Sequence, residues 1–169
     1  MFQKSLELIK TKALMIKVNV IIKNIKWHRY IKNPKNYLNR KIGRLNLKAK
    51  EFRANNFFCT LLLSGDKEIK LLNKKFRKKN KVTDVLSFPF QTKKDLKIKL
   101  KREKEIYLGD IIINLNKIKN KKLLKHFKIE FDRLWIHGLV HLFGYDHKQD
   151  KNFLKMSQIE KKYFDSINV

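Results

Sequence analysis

The segment "EFDRLWIHGLVHLFGYDH" (residues 130–147) joins a long apolar run to three of the five histidines in the chain. At about 100° per residue, positions 134–143 place apolar side chains all around a helix, which indicates a buried helix. The polar exceptions are His137 and His141, and their separation of four residues puts both on one helix face. A buried imidazole without a partner costs free energy. The pair therefore predicts a shared partner, and a metal ion can bind both rings.

A glycine between the second and third histidines supplies the remaining part of this pattern. If the helix continued, His147 would lie about 120° around the axis from His141. Gly144 permits a left-handed cap that ends the helix and brings His147 back towards the pair. Three imidazole ligands leave a fourth tetrahedral position open to water, as in catalytic zinc sites. The sequence thus predicts one Zn²⁺ per chain, bound by His137, His141 and His147.

The formal net charge of +27 is the dominant feature of the composition. Such a chain is drawn to polyanions, including RNA, DNA, ribosomes and anionic membranes. Lysine, asparagine and isoleucine are all abundant, which is also typical of AT-rich coding, so the charge alone does not name the partner. The single cysteine, Cys59, excludes an intrachain disulfide and is predicted to be a buried structural thiol. With no apolar run near the ~20 residues of a membrane span and no signal peptide, we expect a cytoplasmic, soluble protein without membrane contact.

Local patterns predict an α+β fold with strands and helices in mixed order. We expect a single domain over residues 15–169, with a central mixed β-sheet of about four strands flanked by helices. The metal site would lie on a buried helix and the turn after it. Residues 1–14 are a possible N-terminal extension. The predicted strands are 15–27, 55–64, 82–90 at a sheet edge, and 107–115; the predicted helices begin at Pro34 and cover 66–78, 116–128, 130–144 and 150–167. Residues 91–105 alternate apolar residues with lysines and are interpreted as a hairpin arm or a solvated loop.

The histidine spacing also matches the zinc proteases called metzincins, with one difference. Their glutamate, the general base of peptide hydrolysis, is Gly138 in this chain. Phosphodiester hydrolysis depends more on cationic groups that stabilise the charge on phosphoryl oxygens. Arg77, within a lysine-rich stretch, could clamp a phosphate bidentately. A solvated helix end is the alternative interpretation of that stretch.

Taken together, these motifs resemble the YbeY family of bacterial endoribonucleases. "HGLVHLFGYDH" (137–147) with Met156 and Glu160, "LNKKFRKKNKVTDVLSF" (72–88) and "LGDIIIN" (108–114) carry the resemblance, which runs from about residue 55 to 161. It implies zinc ligation by His137, His141 and His147, with Arg77 and His137 as catalytic residues. It also implies single-strand-specific RNA cleavage, 3′-end maturation of 16S ribosomal RNA and ribosome quality control. Its partners would be ribosomal RNA and the small ribosomal subunit. The chain departs from the family in residues 1–14, in the very basic segment 91–105 and in a phenylalanine at position 76.

Two other functions stay open at this point: a non-enzymatic ribosome assembly factor with a structural zinc, and a metzincin-like hydrolase. Several carboxylates also need placing. Glu160, with Met156, is expected to brace the site from behind. Asp84 suits a turn, Asp146 a local structural role, and Asp110 either a strand start or the orientation of an imidazole. No general base is assigned.

Overall fold

A four-stranded mixed sheet organises the chain, as predicted. The computed structural model describes residues 15–49, 55–146 and 150–168, so the predicted extension 1–14 and His147 lie outside the described residues. The strands are β1 (Ile16–Ile22), β2 (Asn56–Ser64), β3 (Val85–Pro89) and β4 (Glu105–Asn114). Their order is β1-β2-β4-β3; β1 and β4 both run parallel to β2, and β3 pairs antiparallel with β4 as an edge strand.

The described residues form five α-helices: α1 (Pro34–Lys48), α2 (Asp66–Arg77), α3 (Lys93–Arg102), α4 (Leu124–Leu142) and α5 (Asp150–Ile167). The start of α1 is set by a side-chain cap, because the Asn33 side chain accepts the Asn36 N–H and proline occupies the first helical position. No helix in the described ranges combines the length and the apolar character needed to cross a membrane.

Three segments differ from the prediction. The strand predicted over 15–27 ends at Ile22, and Ile25–Arg29 form a 3-10 helix in which the buried Trp27 packs into the core. Residues 93–102, interpreted as a hairpin arm or loop, form α3, whose N-cap Thr92 accepts the Asp95 N–H at 3.2 Å. In α3 Leu96 is buried, whereas Ile98 is largely exposed, so the apolar alternation does not reflect a strand. The helices predicted separately over 116–128 and 130–144 form one continuous helix, α4, and the first prediction is also wrong at its start. A short 3-10 turn covers Leu115–Lys117, Asn120 has a left-handed φ of 55°, and the helix begins only at Leu124.

The sheet separates a large core from a small one. Helices α1, α4 and α5 cover one face, where buried aromatic side chains such as Trp27, Phe127 and Phe131 pack edge to face. On the other face, Ile69 of α2 packs on Leu86 and Ile112. Cys59 is buried, as predicted, and burial raises the pKa of its thiol to about 12. The histidine helix α4 lies on the large-core face, against β3 and β4.

Candidate metal centre

Gly138 determines how closely the histidine helix approaches the sheet. A Cβ at this position would lie 2.6 Å from Cγ2 and 3.1 Å from Cγ1 of Ile111, a buried residue of β4. These distances are well inside the about 3.5–4.0 Å of a normal carbon–carbon contact. The space that the glutamate of a metzincin would need is therefore filled by the sheet.

On the half-buried side of the same helix, the two histidines converge. Nε2 of His137 lies 3.1 Å from Nε2 of His141, and the two rings are nearly perpendicular, at 88°. Nδ1 of His137 lies 2.7 Å from Oε1 of Glu160, and Nδ1 of His141 lies 2.9 Å from the Tyr145 carbonyl oxygen. Because both partners of Nδ1 are acceptors, each Nδ1 carries the hydrogen of the neutral ring. Each Nε2 then presents a lone pair to the other.

This donor arrangement fits a zinc ion. With both Nε2 atoms unprotonated, two nitrogen lone pairs converge at 3.1 Å, an arrangement that a cation bound to both would stabilise. Zn–N bonds of about 2.0–2.1 Å at tetrahedral angles separate two ligand nitrogens by about 3.3 Å. Glu160 and the Tyr145 carbonyl are also the kind of acceptors that orient ligand histidines in metal sites. The third predicted ligand, His147, lies outside the described residues, and across the described ranges no group of three or more His, Cys, Asp or Glu could hold a metal ion.

The turn after α4 has the predicted left-handed glycine. Gly144 has a φ of 81°, and its N–H donates to the His141 carbonyl at 2.9 Å. This turn directs the Tyr145 carbonyl back to His141. Asp146 then accepts a hydrogen bond from Asn152 of α5 at 3.2 Å, which agrees with a local structural role.

A cleft of about 500 Å³ opens beside His137, between the start of β3, α4 and α5. Glu160 lines it. Two cations that the sequence analysis missed, Arg133 and Lys161, line it as well. Arg133 lies one helical turn before His137, pairs with Glu130 at 3.0 Å, and holds its guanidinium carbon 5.5 Å from the Phe164 ring centroid. The four-residue spacing from His137 was the signal that could have identified it.

Arg77 occupies a different position, at the free edge of β3. The backbone N–H and carbonyl groups of even-numbered residues in and around β3 point to β4. Two hydrogen bonds show this: the Asn114 N–H donates to the Asp84 carbonyl, and the Phe90 N–H donates to the Leu108 carbonyl. The Ser87 carbonyl therefore points to the free edge, where Nη2 of Arg77 donates to it at 3.1 Å. Arg77 is not among the residues that line the cleft beside His137.

Two other carboxylates have local partners. The Asp84 carboxylate accepts the Val85 N–H at 2.8 Å, which agrees with a turn. Asp84 also lines the cleft beside His137. Asp110 accepts a hydrogen bond from the Tyr107 hydroxyl at 2.6 Å. Asp110 lies on the sheet face turned away from α4, so it does not orient a histidine of this centre.

Comparisons with known proteins agree with the resemblance seen in the motifs. The family model described as "Endoribonuclease YbeY" matches residues 21–168. The endoribonuclease YbeY of Pelagibacter ubique is 43% identical over 149 residues, covering 86% of this chain and 92% of that protein. That of Ehrlichia canis is 33% identical over 159 residues, covering 92% and 94%. The solution structure of TM1509 from Thermotoga maritima matches with a TM-score of 0.56 and 27% identity, covering 89% of each chain. The chain belongs to the endoribonuclease YbeY family.

Proposed function

We propose that the chain is a zinc-dependent endoribonuclease that cleaves single-stranded RNA in the cytoplasm. Its proposed substrate is ribosomal RNA of the small subunit, with maturation of the 16S 3′ end and ribosome quality control as its roles. Family membership supports a hydrolase that acts on RNA phosphodiester bonds. The observation that carries the zinc dependence is the pair of Nε2 atoms, 3.1 Å apart, each fixed as a lone-pair donor by an acceptor on its own Nδ1.

His137 and His141, with His147, would hold the ion. When bound, zinc would supply Lewis-acid stabilisation of phosphoryl oxygens and activation of a water molecule. Glu160 keeps the Nδ1 proton on His137, and the Tyr145 carbonyl does the same for His141. Both acceptors hold the rings in one tautomer and one orientation, which keeps the donor atoms convergent.

The cleft supplies positive charge for an RNA phosphate. Arg133 and Lys161 both line it beside His137, and they would stabilise negative charge that develops on the phosphoryl oxygens. Arg133 can do so bidentately, because a guanidinium presents a planar fork of donors. In this proposal it takes the clamping role that the sequence analysis gave to Arg77.

Arg77 would then contact a different phosphate of the same strand. A guanidinium carries five N–H donors, and the hydrogen bond to the Ser87 carbonyl uses only one of them. The side chain lies exposed at the free edge of β3. We therefore assign Arg77 to RNA positioning and His137 to the metal centre itself.

Peptide hydrolysis of the metzincin type is disfavoured by packing as well as by sequence. The methylene of a glutamate at position 138 would overlap Ile111, because any Cβ there would lie only 2.6 Å from Ile111 Cγ2. Because the carboxylate that acts as base in those proteases has no room, RNA remains the better substrate class.

The test combines metal analysis with RNA cleavage. Protein purified with zinc should contain about one zinc per chain and cut single-stranded RNA faster than duplex. His137→Ala should lose both zinc and cleavage. His126→Ala changes an exposed histidine of the same helix, α4, and should keep both.

Two results would contradict the proposal in different ways. Cleavage that persists in His137→Ala after the same purification would come from a contaminating nuclease. Bound zinc without any RNA cleavage by the unaltered protein would favour the assembly factor with a structural zinc. In cells, loss of 16S 3′-end maturation with His137→Ala but not with His126→Ala would support the ribosomal role.

A further inference from the structure

The sheet face turned away from α4 carries a row of aromatic side chains and one lysine. Strand register places Lys17 of β1 opposite Phe58 of β2, and Phe58 opposite Tyr107 of β4. Phe90, just after β3, packs on Tyr107 with ring centroids 5.6 Å apart. Across the sheet the row therefore consists of one lysine and three rings. Lys17, Phe58 and Tyr107 come from the neighbouring strands β1, β2 and β4, and Phe90 follows β3.

A second pair of rings continues this row towards α2. Phe76, in the last turn of α2, packs on Phe88 of β3 with centroids 5.2 Å apart. Between the two pairs lies a mainly apolar groove of about 430 Å³, lined by Phe76, Phe88 and Phe90 among others. We call Phe58, Phe76, Phe88, Phe90 and Tyr107 the aromatic face.

Several of these rings are exposed. Phe90 is 67% exposed and Phe76 is 58% exposed, although both are large apolar side chains. Within the described ranges, α2 is the helix that packs on this side of the sheet, over Leu86 and Ile112. Large exposed apolar patches mark binding surfaces, because contact between water and so many rings is unfavourable.

Cations border the aromatic face and indicate what binds it. The ammonium of Lys17 lies 5.7 Å from the Phe58 centroid, and that of Lys75 lies 5.3 Å from the Phe76 centroid. The Arg77 guanidinium carbon lies 5.8 Å from the Phe88 centroid. Lysine is depleted in protein–protein interfaces, whereas rings interleaved with cations are typical of surfaces that bind single-stranded nucleic acid.

We propose that the aromatic face is a second RNA-binding surface, on which bases of a single strand stack while Lys17, Lys75 and Arg77 contact the phosphates. Four-stranded sheets that present exposed rings bind about two or three stacked bases in this way. The proposal rests on the proposed function for its choice of RNA. It assigns the aromatic face to a part of the RNA strand away from the bond that is cut, because the metal centre lies on the opposite side of the sheet.

The experiment measures binding of a fluorescein-labelled single-stranded RNA of about 12 nucleotides by anisotropy, at a series of salt concentrations. The double variant Phe90→Ala/Tyr107→Ala should bind at least about five-fold more weakly for each stacked base it loses. Its slope of log affinity against log salt should not change, because no phosphate contact is removed. Lys17→Gln should instead flatten that slope by about 0.7.

The matched control is Phe153→Ala, which removes an exposed ring from α5, on the large-core side of the sheet. It should bind like the unaltered protein. Because Phe90 is exposed, Phe90→Ala alone should not unfold the chain; equal melting temperatures of the single and double variants would show that the loss of the Tyr107 hydroxyl contacts does not unfold it either. Phe90→Leu, which keeps apolar bulk without a ring, should still weaken binding if stacking is responsible.

Two outcomes separate this proposal from the proposed function. Unchanged RNA affinity in the double variant, with cleavage by the unaltered protein intact, would overturn the RNA-binding assignment and favour a protein partner at this face. Ring-dependent affinity in a protein that never cuts RNA would support the aromatic face and contradict the proposed enzyme. In the expected case the double variant raises KM and leaves kcat unchanged.

Discussion

Replacing Gly138 by alanine puts a methyl group 2.6 Å from Cγ2, 3.1 Å from Cγ1 and 3.2 Å from Cδ1 of Ile111. Ile111 is buried in β4, so it cannot move aside without disturbing the sheet. Overpacking of a dense core costs about 1–3 kcal/mol. Alanine stabilises a helix interior by about 0.5–1 kcal/mol relative to glycine. The expected net effect of Gly138→Ala is therefore a loss of about 0–2.5 kcal/mol of unfolding free energy.

A double-mutant cycle isolates the contact. Ile111→Ala removes the three atoms that the new methyl group would meet, at its own cost of about 2–5 kcal/mol. In that background Gly138→Ala should stabilise the protein by about 0.5–1 kcal/mol, so the coupling energy between the two positions should be about 1–3 kcal/mol. Gly43→Ala is the control, because a Cβ at that position of α1 has no neighbour within 4 Å and should only stabilise.

Urea unfolding, followed by the fluorescence of the two buried tryptophans, Trp27 and Trp135, measures these differences. Zinc affinity provides a second readout, because His137 and His141 flank position 138 and would be displaced with the helix. The packing argument would be refuted if Gly138→Ala stabilised both backgrounds as Gly43→Ala does, with a coupling energy below about 0.5 kcal/mol.

Other predictions concern groups around the centre and the core. Glu160→Gln keeps the shape but removes the carboxylate on His137, so zinc affinity should fall about 10–100-fold in a chelator competition; unchanged affinity would remove Glu160 from the centre. Asp132→Ala removes a buried carboxylate that accepts hydrogen bonds from Trp135 and Tyr37 and pairs with the Lys41 ammonium at 2.9 Å, and should cost about 3–5 kcal/mol in a thermal melt. Hydrogen bonds from Asn114 and a second asparagine lower the pKa of Asp66 below its unfolded value. Its stabilising contribution is present above the unfolded pKa, about 3.9, and is lost as pH falls through the folded pKa. The stability difference between the unaltered protein and Asp66→Asn should therefore shrink on acidification, and a difference independent of pH would contradict this.

The elements with strong local signals were predicted well. The final helix has the predicted bounds, α1 begins at Pro34, and β2 begins one residue after the predicted start. Caps, proline and continuous apolar runs act within a few residues, so the sequence contains them directly. In the segment that forms α3 the local signals conflict, because Leu96 and Ile98 alternate with lysines as in a strand, whereas Thr92 and Asp95 have the spacing of a helix cap.

The functional residues also divide into those whose positions follow from local sequence and those whose positions depend on tertiary contacts. The converging pair, His137 and His141, and the turn at Gly144 follow from helix geometry, so the sequence predicted them. The position of Arg77 depends on which carbonyls of β3 point to the free edge, and that depends on the register with β4. The aromatic face was not predicted at all, because Phe58 and Tyr107 become neighbours only through the strand order β1-β2-β4.

The free edge of β3 connects the two proposed RNA surfaces and is poorly suited to pairing with a peptide. Exposed strand edges bind extended peptides by pairing with their backbone groups. In β3 the Ser87 carbonyl is already bonded to Arg77, and Pro89, whose position also faces the free edge, has no N–H to donate. A peptide would therefore meet an edge with one acceptor occupied and one donor missing. An RNA strand does not need these backbone groups for binding. At the same edge it would meet the Arg77 guanidinium, with the aromatic face on one side of the sheet and His137 and His141 on the other.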